Sequence, residues 1–131
     1  MGFLDRSDDT VFPVAGVTYT VGAPTGDTRV VAIQLTDSLG NDIAVAAALP
    51  FYFSDNATGL DITGTGPSGT VDAGTDGDVL WVNEAKKSFQ LQSEADGDID
   101  LSVTDAGSNT WYLCAVLPDG TLAVSGAIAM T

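Results

Sequence analysis

Apolar side chains along this chain recur at every second position in short runs, and Gly, Asp, Asn or Pro clusters interrupt the runs every eight to twelve residues. A period of two is that of a strand with one buried face, so the pattern predicts an all-β fold of short strands. VTYTV at 17–21 opens the series, and TRVVAIQLTD at 28–37 sets Val31, Ile33 and Leu35 on one face. IAVAAALPFYFSD follows at 43–55. Its Pro50 lacks a ladder donor, which predicts a break there or a place at a sheet edge. Residues 56–78 are rich in Gly, Thr and Asp and read mostly as loop. VLWV (79–82) and SFQLQSE (88–94) flank NEAKK, and DIDLSVTD (98–105), WYLCAVL (111–117) and TLAVSGAIAM (121–130) close the chain. Pro118-Asp119-Gly120 between the last two predicts an antiparallel hairpin. WYLCAVL is apolar on both pleat faces, as expected of a central strand covered on both sides or lying in an oligomer interface. NEAKKS is too short to stand alone as a helix.

The residues before Val14 do not alternate, and mix Phe3, Leu4 and Phe12 with Asp5, Arg6, Asp8 and Asp9. They read as an extended N-terminal arm, 1–13, ahead of a sandwich domain at 14–131. A length of 131 residues suits one domain with a genuine core. Four basic residues, Arg6, Arg29, Lys86 and Lys87, face eighteen acidic ones, a formal charge of -14. So negative a surface repels nucleic acid and anionic membranes, and neither is an expected partner. The same charge favours solubility at high local density. The acidic start, MGFLDRSDDTVFP, lacks the basic region and apolar core of an export signal, so none is expected. Cys114 is alone and cannot form an intramolecular disulfide, which points to folding in a reducing cytoplasm, with the thiol as a small core group.

No catalytic set emerges. The chain has no histidine, which excludes Ser-His-Asp and Cys-His catalysis and histidine-based zinc sites. EADGDIDL at 94–101 concentrates Glu94, Asp96, Asp98 and Asp100. Parity explains it: Ile99, Leu101 and Val103 alternate with the carboxylates, which therefore line a solvated strand face. An EF-hand loop would need Gly after the third acid, where Leu101 stands, and Glu where Gly107 stands, leaving weak calcium binding across Glu94, Asp96 and Asp98 as the residual metal reading. GTGPSG at 64–69 matches a dinucleotide fingerprint literally, but no helix follows it, and it reads as a turning connection. Phe51, Tyr52, Phe53, Trp81, Phe89, Trp111 and Tyr112 could line a sugar platform, yet their place inside apolar runs favours core or interface. Ala123, Ser125, Ala127 and Ala129 would form a small-residue face open to a subunit contact. The expectation is a protein that is not an enzyme and has no cofactor or metal.

AIQLTDSLGNDIAVAAALPFYFSD resembles the strand, D-x-x-G-N turn and strand of bacterial Ig-like domains, and DGDIDLSVTDAGSNTWYLCAVLPDG resembles their closing half. Tyr112-Leu113-Cys114 is similar to the Tyr-x-Cys of immunoglobulin strand F, without its partner cysteine and with Asp105 outside the usual corner spacing. More broadly, VAIQLTDSLGND, the loop GTDG and FQLQSEADGDIDLSVTDAGSNTWYLCAVLPDGTLAVSGAI resemble small structural proteins of tailed bacteriophages. That resemblance implies an Ig-like head decoration or cement protein on the virion capsid surface, made in the host cytoplasm. Its partners would be the major capsid protein and further copies of itself in an oligomer such as a trimer. Phe3, Leu4, Arg6 and Phe12 of the arm would supply the contact, by strand addition or apolar anchoring. A tail-associated Ig-like module and a carbohydrate- or receptor-binding module are the alternatives.

Overall fold

The computed structural model describes residues 14–130. The arm, with Phe3, Leu4, Arg6 and Phe12, lies outside the described residues. Ten strands are formed among them: β1 Gly16–Val21, β2 Thr28–Thr36, β3 Ala48–Ser54, β4 Val71–Ala73, β5 Asp78–Glu84, β6 Ser88–Gln92, β7 Asp98–Thr104, β8 Thr110–Val116, β9 Leu122–Val124 and β10 Ile128–Ala129. They make an Ig-like antiparallel sandwich. One sheet runs β1-β2-β7-β4, and the other β9-β8-β3-β6-β5 with β10 also on β8. From β2 to β5 and again from β6 to β8 the chain changes sheet at each connection, so strands distant in sequence become neighbours.

Alternation dictates this arrangement. Val31, Ile33 and Leu35 of β2 and Ile99, Leu101 and Val103 of β7 are fully buried, and they meet Leu49, Phe51 and Phe53 of β3, Phe89 and Leu91 of β6, and Trp111, Leu113 and Ala115 of β8. Non-directional burial of this apolar surface is the main stabilising term. Directional bonds then fix the lateral offset of the layers. The Tyr19 hydroxyl donates across the sandwich to the Ala123 carbonyl at 2.7 Å. Arg29 donates to the carbonyls of Ala129 at 2.7 Å and Gly22 at 2.8 Å, tying β10 to the other sheet's edge.

Two expectations require correction. Pro50 neither breaks its strand nor lies at an edge: β3 pairs with β6 on one side and β8 on the other. Phe53 N–H donates to Lys87 O on the β6 side, so by alternation the nitrogen of Pro50 faces β8, whose pairing with β3 runs from Phe51 to Ser54. The β8 ladder therefore starts just after the missing donor, while the β6 ladder, which needs none from residue 50, runs through it. The C-terminal run is not one strand, because β9 and β10 are separated at 125–127. Ser125 turns inward there, its hydroxyl accepting from Leu113 N–H at 2.9 Å and donating to Gly126 O at 2.8 Å. This break destroys the common face assigned to Ala123, Ser125, Ala127 and Ala129. The 56–78 connection is mostly loop as expected, with the short β4 in it pairing with β7 from Val71↔Val103 to Ala73↔Leu101.

Candidate functional site

The outer face of the larger sheet carries the least expected feature of the molecule. Residue-by-residue alternation from buried Leu91 and its partner Val79 would point Leu80 out and Trp81 in. A bulge between Val79 and Trp81 takes Leu80 out of register and places Trp81 opposite Gln90. One extra residue reverses the faces. Trp81 is consequently 62% exposed, with Leu80 at 51% beside it. Trp81, Ile62, Pro50 and Tyr52 line a hollow of about 170 Å³, whose polar atoms come from Asn83, Ser88 and Gln90. Of the expected core or interface aromatics, Phe51, Phe53, Phe89 and Trp111 are core, whereas Trp81 lies on the surface.

The long 55–70 loop builds one wall of this hollow through Ile62 and lies over Cys114 and Tyr52 beside it. Gly59, at φ +73°, passes so close to Cys114, Val124 and Tyr52 that a Cβ there would lie 3.0 Å from the Cys114 sulfur. A left-handed backbone and lack of room both select glycine. The Tyr52 hydroxyl donates to Gly59 O. Burial, and then the neighbouring Cys114, push this phenol up to about 12, so it stays a neutral donor. Cys114 is fully buried as expected, though beneath this loop on the outer side of β8 rather than between the sheets. Burial pushes its thiol up, the opposite of what a nucleophile needs.

A second, polar concavity of about 250 Å³ lies between the long loop and the start of β8, lined by Asp55, Thr63, Gly64, Thr65, Asn109, Thr110 and Trp111. Its groups satisfy one another. Thr63 donates to Asp55 at 2.7 Å, and the Trp111 indole donates to Thr65 O at 3.0 Å. This is loop scaffolding with no titratable pair poised for acid-base work. The GTGPSG segment is a turning connection here too: a Cβ on Gly66 would lie 2.5 Å from Lys86 O, and one on Gly69 2.7 Å from Thr104 O.

The acidic run is a strand face as parity required, but folding regroups its carboxylates. Asp76, from the loop before β5, joins Asp98 and Asp100, with carboxylate oxygens all within 4.8 Å of one another. Glu94 instead accepts from Gly77 N–H at 3.0 Å, and Asp96 accepts from Asp98 N–H at 3.3 Å. Glu94, Asp96 and Asp98 are therefore not the trio that converges. Three such oxygens could hold a hard divalent cation, yet convergent acidic groups are common on surfaces this negative. Partial burial first, then a hydrogen bond and repulsion from Asp76, push the Asp98 carboxyl up to about 6.

This raised value fixes a pH dependence. Between its ordinary 3.8 and about 6 the folded chain holds a proton that the unfolded chain releases, so stability falls as pH rises through that window. Lowering the pH from 7.5 to 5 is expected to raise the melting temperature by a few degrees. Asp98→Asn should flatten the rise, as followed by thermal melts across that range; an unchanged slope would show that other groups set it.

No protein-family profile matches the chain, and no curated protein matches it. Among solved structures, a cohesin module from a Clostridium perfringens family 33 glycoside hydrolase aligns with a TM-score of 0.43 at 14% identity, covering 87% of this chain and 91% of that one. Among the described residues, no helix is long and apolar enough to cross a membrane.

Proposed function

We propose that the chain is a non-enzymatic structural protein of a phage virion, which binds the outer surface of the capsid shell and stabilises the head. The observation that supports this best is the exposed apolar group of Trp81, Ile62 and Leu80 on an otherwise acidic molecule. Such a group on a rigid sheet suits docking to another protein, whereas catalysis needs poised titratable groups. The sequence resemblance to phage structural proteins supplies the identity of the assembly, with the major capsid protein as partner.

The test is co-sedimentation of purified protein with expanded, undecorated shells of the encoding phage, counting bound copies. Saturation at a simple multiple of the capsomer number, abolished by removal of residues 1–13, is expected. Absence of binding to shells, with the protein present in intact virions, would assign it to the tail instead.

One observation favours a second reading. Trp81 beside Tyr52, Asn83 and Gln90 combines an aromatic plane with amides, a combination suited to stacking and hydrogen bonding a sugar. Glycan binding that survives loss of residues 1–13 and disappears in Trp81→Ala would establish that carbohydrate-binding role.

A further inference from the structure

We infer that the hollow around Trp81 receives the N-terminal segment of a neighbouring copy, with Phe12 as its apolar anchor, so that copies join head to tail. This builds on the structural-protein reading above and names the partner of the exposed face. The hollow is apolar, open and of a size to take one aromatic ring, and Lys86 and Lys87 form the turn that closes the β5–β6 hairpin next to Ser88 on its rim. Those two lysines matter because the chain has four basic residues in all. Arg29 is committed to backbone carbonyls, and Arg6 lies in the arm itself. On an acidic molecule, the lysine turn is where an acidic segment is best received.

The segment Asp8-Asp9-Thr10-Val11-Phe12 has the matching composition. From Asp9 to Phe12 is three residues, as is the step from Lys87 to Gln90 at the floor of the hollow, roughly 10 Å in each case for extended chain. A Phe12 ring beside Trp81 therefore leaves the Asp8 and Asp9 carboxylates within reach of the lysines. Lys87 already has Glu84 at 3.5 Å, and Lys86 donates to Ser68 O at 3.1 Å on the surface. Such exposed contacts are weak and readily exchanged. The arm's Arg6 has its counterpart in Asp61, next to Ile62 in the wall and close enough to Tyr52 to repel its ionisation.

Reach decides between a chain's own hollow and a neighbour's. Phe12 is two residues from Val14 and can lie at most ~7 Å from it. Val14 is buried in the core between the two sheets, just before β1. Two packed sheets lie about 10 Å apart, and the hollow opens on the outer side of the larger sheet, turned away from Val14. Phe12 cannot reach its own hollow, so the occupied hollow belongs to another copy. The face, rather than the edge, is the receiver. Strand β5 is the edge, and its two irregularities, at Val79/Trp81 and Val82/Glu84, spoil the regular row of donors and acceptors that strand addition requires. An interface made of two different patches repeats, giving a ring or a row of subunits.

Sedimentation of the full chain over a concentration series, with Trp fluorescence alongside, tests this. The wild type is expected to assemble, with its emission moving to shorter wavelength as Trp81 is covered; Trp111 is already buried. Trp81→Ala and Phe12→Ala should each weaken self-association at least about 30-fold, the effect of losing a central anchor. Both replacements lie outside the core positions described, and unchanged far-ultraviolet circular dichroism checks the fold. An equimolar mixture of the two should pair, because one supplies an intact arm and the other an intact hollow. Assembly of either variant at wild-type strength, a wild type that stays monomeric throughout, or a mixture that fails to pair would each overturn the inference. A wild type that binds shells yet stays monomeric in solution would overturn it while leaving the capsid reading intact, and an assembling wild type that ignores shells would do the reverse.

Discussion

Trp111→Ala is expected to destabilise the fold by about 4 kcal/mol, in the range for removing a large buried aromatic. A domain of this size has only about 5–15 kcal/mol in total, so the variant should unfold at a much lower urea concentration. The Trp111 ring is 2% exposed and lies tilted against Phe53 at 6.3 Å between centroids. Its indole N–H also donates to Thr65 O at 3.0 Å and approaches the Thr63 hydroxyl at 3.3 Å, so it holds the long loop to the core. Trp111→Phe keeps most of the apolar contact and loses the donor. It should cost about 1–2 kcal/mol, because an acceptor is left without its partner. Equal losses in the two variants, measured by urea denaturation, would show that packing contributes little at this position.

Asp105→Ala should cost about 3 kcal/mol, since it leaves several donors unpaired around a position built for a charge. The Asp105 carboxylate accepts from Ser68 N–H at 2.9 Å, Gly107 N–H at 3.1 Å and Asn109 Nδ2 at 3.3 Å. It thereby joins the GTGPSG loop to the β7–β8 corner. Burial alone would push its carboxyl up, but the donors from Ser68, Asn109 and Gly107 outweigh burial and hold it below the ordinary range. A depressed carboxyl contributes stability that is present above its ordinary 3.8 and is lost as pH falls below that value. Asp98 acts in the opposite sense at higher pH. Melting temperature should therefore pass through a maximum in mild acid, and Asp105→Ala should shrink the acid limb, to which Asp119, held low by hydrogen bonds from Thr121, also contributes. A wild type whose stability keeps rising below pH 3 would contradict this assignment.

Much of the fold was legible because strand alternation is a local property. Ile99, Leu101 and Val103 against Asp98, Asp100 and Ser102 could be sorted by parity alone, and Pro118-Asp119-Gly120 turns the chain into a hairpin wherever it lies. Pro50 shows the limit of such rules. Whether a missing N–H matters depends on which neighbour it faces, and β6 and β8 come from sequence 38 and more residues away.

The site was the least legible part. Nothing in DVLWVNE announces which residue bulges, yet that single choice turns Trp81 from core to surface. Asp76 was hidden in a Gly- and Asp-rich loop, and its approach to Asp98 and Asp100 arises because β4 and the turn after it lie against β7. Asp105 stood in a turn cluster whose partner, Ser68, is 37 residues distant.

The strand class, the buried face of most strands, the acidic surface and the lack of histidine-based chemistry all follow from composition or from a period of two. The sheet order, the bulge at Leu80, the covering of Cys114 by the Gly59 loop and the hollow beside Trp81 arise only in the folded chain. Each of these depends on which distant segments become neighbours, a choice made by the joint packing of two sheets that no local pattern encodes.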